Sequence, residues 1–409
     1  MNNKIKLAVA GAVLASASVA NAGITWDAGE WTVDMNGNVN AFAALTSADD
    51  TNTVSGGLAG TKGNDQDQVG INTGLLPSWL GFTATTRQND LDTSVTISFQ
   101  PGAGNTTALK GGNSNNAATE NRQAFLTFGD KSWGSVKVGK DLGIFGSTAI
   151  LNDMTLLGVG SGSATAGNTT TLGRIGTGYV YADWIGQIAY TTPNMNGFQA
   201  TVGITQPWHA NTALSSSLVS SASSGTNDEF GFQGQASYSW TGDFAGKVWV
   251  GGFSQNVENI EVDGSATGTS DTSTAVEAGV STSIYNINLV AYGYSGDGLG
   301  TTSLLGDAYD TAGQARDSDG GYVQATYVIP MGTKLGVSYG QSNLDANAID
   351  SGAVRGTLVK ENEMLTIGAY HPLTKHLNLV AEFSNIESKN NIGQSNESDT
   401  IALGAILFF

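Results

Sequence analysis

The chain has 409 residues, with 17 Lys and Arg against 35 Asp and Glu, a formal charge of −18, 56 Gly, 6 Pro and no Cys. So acidic a chain excludes nucleic acid as a partner, and the absence of cysteine excludes both a disulfide framework and a thiolate metal site. Abundant Gly, scarce Pro and no linker-like break fit one large architecture of short strands and tight turns better than two or three soluble domains.

Lys4 and Lys6, the apolar run from Leu7 to Val19 and the small residues Ala20-Asn21-Ala22 have the layout of an export leader, so residues 1–22 are expected to be removed and residues 23–409 to form one domain. Cleavage removes two bases and no acid, which leaves the exported chain more acidic still. No later stretch approaches the ~18 consecutive apolar residues of a spanning helix.

From Val33 the pattern alternates. Val33, Met35, Val39, Ala41, Ala43 and Leu45 share one face and Asp34, Asn36, Asn38 and Asn40 the other. A strand between lipid and water requires such a division, although one strand in a soluble sandwich would also show it. A polar loop follows to about Gln68. Trp79 to Arg87 and Asp92 to Gln100 then alternate around the short turn Gln88-Asn89-Asp90, and after a long loop Asn121 to Phe128 and Ser135 to Lys140 flank Gly129 to Gly134. The next break is the longest, about 141–182, rich in Gly, Ser and Thr. Asp183 to Thr192 and Phe198 to Gln206 resume around Pro193-Asn-Met-Asn-Gly197, a strong turn signal.

The same asymmetry runs to the end. Phe230 to Trp240 leads through Thr241-Gly-Asp243 into Lys247 to Gln255. Ala275 to Ile284 and Ile287 to Ser295 meet at Tyr285-Asn286, Tyr322 to Ile329 and Lys334 to Ser342 at Pro330 to Thr333, and Glu363 to Tyr370 and His376 to Asn385 at His371 to Lys375. Thr400 to Phe409 closes the chain. These sixteen strands, with long loops on one side and short turns on the other, predict an all-β fold: a transmembrane antiparallel β-barrel with no free edge and an aqueous lumen. The 141–182 stretch, the third long loop, is expected to fold into that lumen and set the size and charge of a pore. Aromatics near strand ends, among them Trp31, Trp79, Phe128, Trp133, Trp184, Tyr190, Tyr238, Trp240, Tyr327, Tyr370 and Phe409, are expected to form girdles at the two membrane interfaces.

At the C-terminus Ile401, Leu403, Ala405 and Leu407 are apolar at every second position and Phe409 is last, which resembles the terminal signature of Gram-negative outer-membrane proteins. Val136-Lys-Val-Gly-Lys140-Asp141 resembles the entry to the constriction loop of general porins. Leu172-Gly-Arg174, Tyr179-Val-Tyr181, Ala189-Tyr-Thr-Thr-Pro193 and Asn196-Gly-Phe198 are similar to the pattern that follows that loop. The resemblance covers essentially the whole mature chain. It implies a homotrimer of sixteen-stranded barrels in the outer membrane, in contact with lipid and lipopolysaccharide. It also implies a barrel-assembly machinery that reads Phe409, Leu407, Leu403 and Ile401, and periplasmic chaperones during biogenesis. By position, Lys140 matches the basic residue at the loop's entry and Arg174 the one near its exit, while Asp153 is the only acid inside the loop proper. The family's acidic Pro-Glu-Phe-Gly-Gly motif is replaced by Asp153-Met-Thr-Leu-Leu-Gly-Val-Gly160.

A narrow eyelet in a low-dielectric wall magnifies each fixed charge. Arg87 and Lys137 point inward by strand phase, as do Asp34, Asp183 and Glu382, so the candidate constriction set is Asp153, Arg174, Lys140, Arg87, Lys137 and Asp183. Arg122 shares its phase with Ala124, Leu126 and Phe128, which leaves its direction open. Glu258, Glu261, Asp263 and Asp271 have no basic neighbour, and Asp297, Asp307, Asp310, Asp317 and Asp319 are opposed only by Arg316. An acidic vestibule of this kind predicts a passive channel for small hydrophilic solutes and ions with mild cation selectivity. The alternatives are a channel specific for sugars or anions, or a non-conducting barrel acting as an adhesin. No enzyme is expected, because His209, His371 and His376 lie in a loop or beside a turn with no nucleophile placed by them. No cofactor or metal is expected either, since Asp317-Ser-Asp319-Gly-Gly321 lacks the Glu of a calcium loop.

Overall fold

The computed structural model describes residues 23–61, 68–104, 119–161, 170–210, 222–224, 227–262, 265–266, 268–310 and 312–409. The expected leader 1–22 and Asp263 lie outside them, as does the side chain of Glu261.

Sixteen antiparallel strands close into a barrel. Strand β1 is Trp31–Ala48, and β2 is two segments in line, Gln68–Asn72 and Trp79–Gln88. They are followed by β3 Leu91–Phe99, β4 Ala124–Asp130, β5 Gly134–Leu142, β6 Trp184–Thr191, β7 Phe198–Thr205 and β8 Gly231–Trp240. The second half comprises β9 Phe244–Val257, β10 Asp271–Ile284, β11 Ile287–Asp297, β12 Asp317–Val328, β13 Lys334–Leu344, β14 Val359–Pro372, β15 Leu377–Asn390 and β16 Ser395–Phe408. Each strand pairs with the next, and β16 returns to β1 in the register Leu407↔Val39 and Ile401↔Leu45. Three short segments, Ala222–Ser224, Ile260–Val262 and Ser265–Ala266, form a separate small sheet in the long loops.

Alternation builds this wall as the sequence predicts. Val39, Val276 and Leu403 are 62%, 64% and 58% exposed on the outer face, whereas Asn40, Ser388 and Ser398 are buried on the inner one. The short turns need little chain because they use left-handed backbone: Asn89 and Asp90 have φ 48 and 64, the pairing of positive values that matches the twist of a two-residue hairpin.

Closure is completed at the C-terminus. The Phe409 N–H donates to the Gly37 carbonyl at 3.0 Å, and the Gly37 N–H donates back at 2.9 Å. Ile24–Ala28 pairs with the adjoining stretch of β1 on the same edge, so it continues the line of β16. Gly37 has no room for a side chain, since a Cβ there would stand 2.2 Å from the Trp79 carbonyl oxygen and 2.7 Å from the Phe409 ring. Gly37→Ala is therefore expected to destabilise the closed barrel by about 1–3 kcal/mol. The folded, heat-resistant band on a denaturing gel would be lost at a lower temperature; an unchanged temperature would show that the seam can shift.

The break in β2 reshapes the inside of the barrel. Pro77 cannot donate to a ladder, and Thr73 to Ser78 leave the wall on its inner side, where Asn38 and Asn40 donate to the Pro77 and Leu76 carbonyls at 3.0 and 2.9 Å. Leu75 and Leu76 are buried there.

The inner face is less uniformly polar than alternation suggests. Trp249 of β9, Tyr292 and Tyr294 of β11 and Tyr322 of β12 are buried inside and form a ring cluster, with Trp249–Tyr292 stacked at 6.4 Å and Tyr292–Tyr322 at 5.8 Å between centroids. Tyr370, expected in a girdle, is also inside, donating to Glu382 at 2.6 Å. Trp79 and Trp184 likewise meet each other, at 6.1 Å. Of the expected girdle residues, Trp133, Tyr190, Tyr238 and Tyr327 are exposed.

Candidate eyelet

The third long loop leaves the wall after Leu142 and rejoins it at Trp184, and its described residues lie inside the barrel. Its backbone is hung from inward side chains. Ile144 and Phe145 donate to Gln233 Oε1 of β8 at 2.7 and 2.9 Å, and Gly146 donates to Glu277 Oε2 of β10 at 3.0 Å. A short helix, Ser147–Asn152, is held at its sides: Thr148 donates to Gln235 at 2.7 Å, and the Tyr322 hydroxyl donates to the Ala149 carbonyl at 2.8 Å. Gln324 of β12 then accepts from Met154 N–H and donates to the Asn152 carbonyl. A 3-10 turn over Met154–Leu157 comes next, and Val159 and Gly160 donate to Glu382 Oε2 of β15 at 2.6 and 2.9 Å. Leu75 N–H donates to the Gly158 carbonyl at 2.9 Å, which ties the far end of the loop to the detour in β2.

The return leg is tied as firmly. Arg174, wholly buried, donates to the Met364 and Ser338 carbonyls of β14 and β13 at 2.9 and 3.0 Å. Gly178 N–H donates to Ser342 at 3.0 Å, and Tyr181 N–H to the Thr302 carbonyl in the loop after β11 at 2.9 Å. The first long loop also turns inward, where Leu58 N–H donates to Ser388 at 2.9 Å and Gly60 N–H to Ser398 at 2.8 Å. These segments occupy the β8–β16 side of the barrel.

On the other side a cavity of about 310 Å³ remains between the loop and the ends of β2 and β4–β6. Leu75, Pro77, Leu142, Ile150, Leu156 and Trp184 are among its apolar walls, and Glu120, Arg122, Lys140 and Asp183 reach it. Glu120 and Arg122 pair at 2.7 Å, and the Arg122 guanidinium lies 6.0 Å from the Trp184 ring centre. Arg122, whose direction strand phase left open, is thereby assigned to the inside.

The six candidate residues are distributed over four places. Lys140 and Asp183 both border the cavity, but Lys140 is exposed and stands opposite Ala124 and Gly186, on the wall face that carries Leu126 and Ile188 outward. Asp153 and Arg174 are turned into the packing of the loop: Asp153 is 4% exposed, accepts from Thr155 N–H at 2.9 Å and from the Tyr179 hydroxyl at 2.9 Å, and begins the 3-10 turn. Burial and then the Asp153 charge hold the Tyr179 phenol well above its ordinary pKa, so it stays a donor, while burial pulls Arg174 down. Lys137 is inside as phase predicts, paired with Asp141 and 5.1 Å from the Phe125 ring centre. Arg87 sits by the short-turn rim, half-exposed, bridging Asp92 at 2.7 Å and Asp130 at 2.9 Å.

Sequence reasoning placed Glu382 inward but missed Glu277 and the four rings of the cluster. The signal was present in part: Val276, Ala278 and Val280 alternate with Glu277 and Gly279, which sends Glu277 to the lumen by phase.

A closed barrel with an apolar outer wall, hydrogen-bonded loops drawn into its lumen and a charged gap beside them defines an outer-membrane β-barrel channel. A model described as Gram-negative porin matches residues 8–391, and the chain belongs to that family, whose members let solutes diffuse passively across the outer membrane. No curated protein sequence matches the chain. Among solved structures it is similar to the outer-membrane channel DcaP of Acinetobacter baumannii, at 17% identity and TM-score 0.68, covering 95% of this chain and 100% of that one. The anion-selective porin of Comamonas acidovorans matches at 15% identity and TM-score 0.60, over 93% and 100%. OmpT of Vibrio cholerae, in a trimer form, matches at 13% identity and TM-score 0.53, over 93% of this chain and 100% of that one. Identities this low carry the fold alone.

Proposed function

We propose that the channel passes small hydrophilic solutes and ions through the gap beside the constriction loop, with a mild preference for cations. The observation that carries the preference is the acid excess at the long-loop rim, taken as the extracellular side. Asp228, Glu229, Asp297, Asp317 and Asp319 are exposed there, and none has a salt-bridge partner among the described residues. Two members of the acidic set act differently, because Asp307 and Asp310 are buried within their loop. Asp317 and Asp319 share the outward phase of Val323, so their charges surround the mouth and act on the bore from a distance. A field that reaches only about 10 Å at 0.1 M salt gives weak selectivity that salt removes. Selectivity belongs to each chain's own charges, so the anion preference of the Comamonas porin does not transfer.

Reversal potentials across a KCl gradient test this. They are expected to favour cations at low salt, to fall toward zero when both solutions approach 1 M, and to fall likewise in Asp297→Asn/Asp317→Asn/Asp319→Asn. An anion-favouring or salt-independent potential would overturn the cation preference.

We further propose a homotrimer. Val69 and Ile71 are 78% and 63% exposed on the Gln68–Asn72 segment, which pairs with β1 but has no strand on its other edge among the described residues. A bare edge is costly in lipid, and a second copy would cover it. Lipopolysaccharide at the acidic rim, removal of residues 1–22, chaperone-assisted export and reading of Phe409, Leu407, Leu403 and Ile401 by the assembly machinery complete the proposal. Leu407, Leu403 and Ile401 face outward on the last strand, where such a reader would meet them.

A further inference from the structure

The short-turn rim has two unlike halves. On the β2–β5 side the turn tips are polar: exposed Asn89 and Asp90 join β2 to β3, and exposed Lys131 and Ser132 join β4 to β5, beside an Asp130 bridged to Arg87 at 2.9 Å. From β6 to β15 the tips are apolar. Met195, Tyr285, Met331 and Leu373, at the β6–β7, β10–β11, β12–β13 and β14–β15 turns, are all at least half exposed, Tyr285 at 92%. The β8–β9 turn carries Asp243, with exposed Phe244 directly after it. A short turn in water gains nothing from such side chains, and their clustering on one half of the rim marks a contact surface.

The strand register shows what this surface continues. Around the apolar half, Phe244↔Ile284, Ile284↔Ile287, Ile287↔Tyr327 and Tyr327↔Leu335 follow one another on the outward face, so the apolar wall runs down to the turns. On the polar half Thr86↔Thr93 and Asp130↔Gly134 lie between that wall and the turns. We propose that the β6–β15 half of the rim docks on the membrane itself, with Met195, Tyr285, Met331 and Leu373 immersed in the phospholipid headgroup layer of the periplasmic leaflet, while the β2–β5 turns stand in water. Lipid is the occupant because the arc is continuous with the wall that lipid covers. Successive turns also lie two strands, about 10 Å, apart, a spacing that a fluid surface can wet one side chain at a time. Lys375, exposed beside Leu373, then sits at the level of the lipid phosphates, its stem along the apolar surface. The water-facing turns belong to the flank that carries the bare Gln68–Asn72 edge, so the rim assigns bulk lipid to the opposite flank. This docking surface is independent of the conducting path and of its ion preference.

The absence of native cysteine lets a single probe report one place. Met195→Cys, Tyr285→Cys, Met331→Cys and Leu373→Cys, with Glu30→Cys and Lys131→Cys as references on the other half, are each labelled with an environment-sensitive fluorophore. The full-length proteins are reconstituted in phosphatidylethanolamine and phosphatidylglycerol vesicles, and the heat-resistant gel band confirms that each variant has folded. Nitroxide placed at the lipid headgroup is expected to quench the four tip probes at least about twofold more than the two references, since apolar groups docked at this boundary lie roughly 5–10 Å into it. Aqueous iodide is expected to give the reverse order. Equal quenching of all six probes by iodide, with no excess from the nitroxide lipid, would overturn membrane docking and leave the apolar arc to a periplasmic protein. Strong nitroxide quenching at Glu30→Cys and Lys131→Cys as well would overturn the division of the rim.

Discussion

Replacing Glu382 by alanine is expected to free the constriction loop and raise the single-channel current, with a noisy open level in place of a steady one. One carboxylate accepts the N–H groups of Val159 and Gly160 and the hydroxyl of Tyr370, at 2.6, 2.9 and 2.6 Å. Alanine leaves three buried donors unmatched, at about 1–3 kcal/mol each, which is more than a local segment can bear and stay in place. The barrel ladder is untouched, so the folded band on a gel should keep nearly its wild-type temperature. Glutamine should be milder, since its carbonyl oxygen has two lone pairs for the Val159 and Gly160 N–H groups that share Oε2, while its amide sets a donor against the Tyr370 hydroxyl. Gly158→Ala should act in the same direction, because a Cβ there would stand 2.1 Å from Glu382 Oε1. Glu277 holds the loop's first turn through Gly146 N–H at 3.0 Å and accepts from Tyr292 at 2.9 Å. Removing both carboxylates should therefore cost more than the two single losses combined, as for two supports of one segment. A steady wild-type current from folded Glu382→Ala would refute the assignment.

That latch also marks how far the sequence could be read. Alternation such as Val39-Asn40-Ala41 and short turns such as Asn89-Asp90 gave the strand number and the sidedness, because lipid and water impose opposite demands on successive residues. The lumen imposes no such demand once a loop fills it. Tyr292, Tyr294 and Tyr322 stand at inward positions where phase predicts polar residues, and all three are buried there: Tyr322 donates to the loop's Ala149 carbonyl, and Tyr292 to Glu277, the carboxylate that also holds the loop at Gly146. Asp153 and Arg174 illustrate the same limit. Their charge and position in the loop suggest a lining, but which side of a folded-in loop faces water depends on contacts with β13 and β14, more than 160 residues away in the chain for both Arg174 bonds. Arg122 was undecidable because it lies just before β4 begins, where alternation has no hold on the side chain.

Breaking the Arg316–Asp350 pair is expected to cost about 3–5 kcal/mol locally, because it strands a buried charge. Arg316 is 2% exposed and grips Asp350 with two nitrogens, at 3.0 and 2.7 Å, while its third donates to the Asp307 and Tyr309 carbonyls at 2.8 and 2.7 Å. Asp350 also accepts from Asn347 N–H at 2.8 Å. One ion pair therefore ties the loop after β11 to the loop after β13. Asp350→Leu should expose both loops to protease at temperatures where the wild type resists. Arg316→Met/Asp350→Leu should recover part of the loss, since no lone charge remains, but not all of it: the Asp307 and Tyr309 carbonyls still lose their donor, worth about 1–3 kcal/mol. A double variant no more resistant than Asp350→Leu would mean that the cost lies in the lost hydrogen bonds and not in the stranded charge. The consequence reaches the eyelet. Thr302, in the first of these loops, accepts the Tyr181 N–H at 2.9 Å, and Tyr181 lines the cavity beside Arg122. Loosening the rim should thus make the channel current noisier in Asp350→Leu and quieter again in the double variant, with the protease sensitivity and the current moving together.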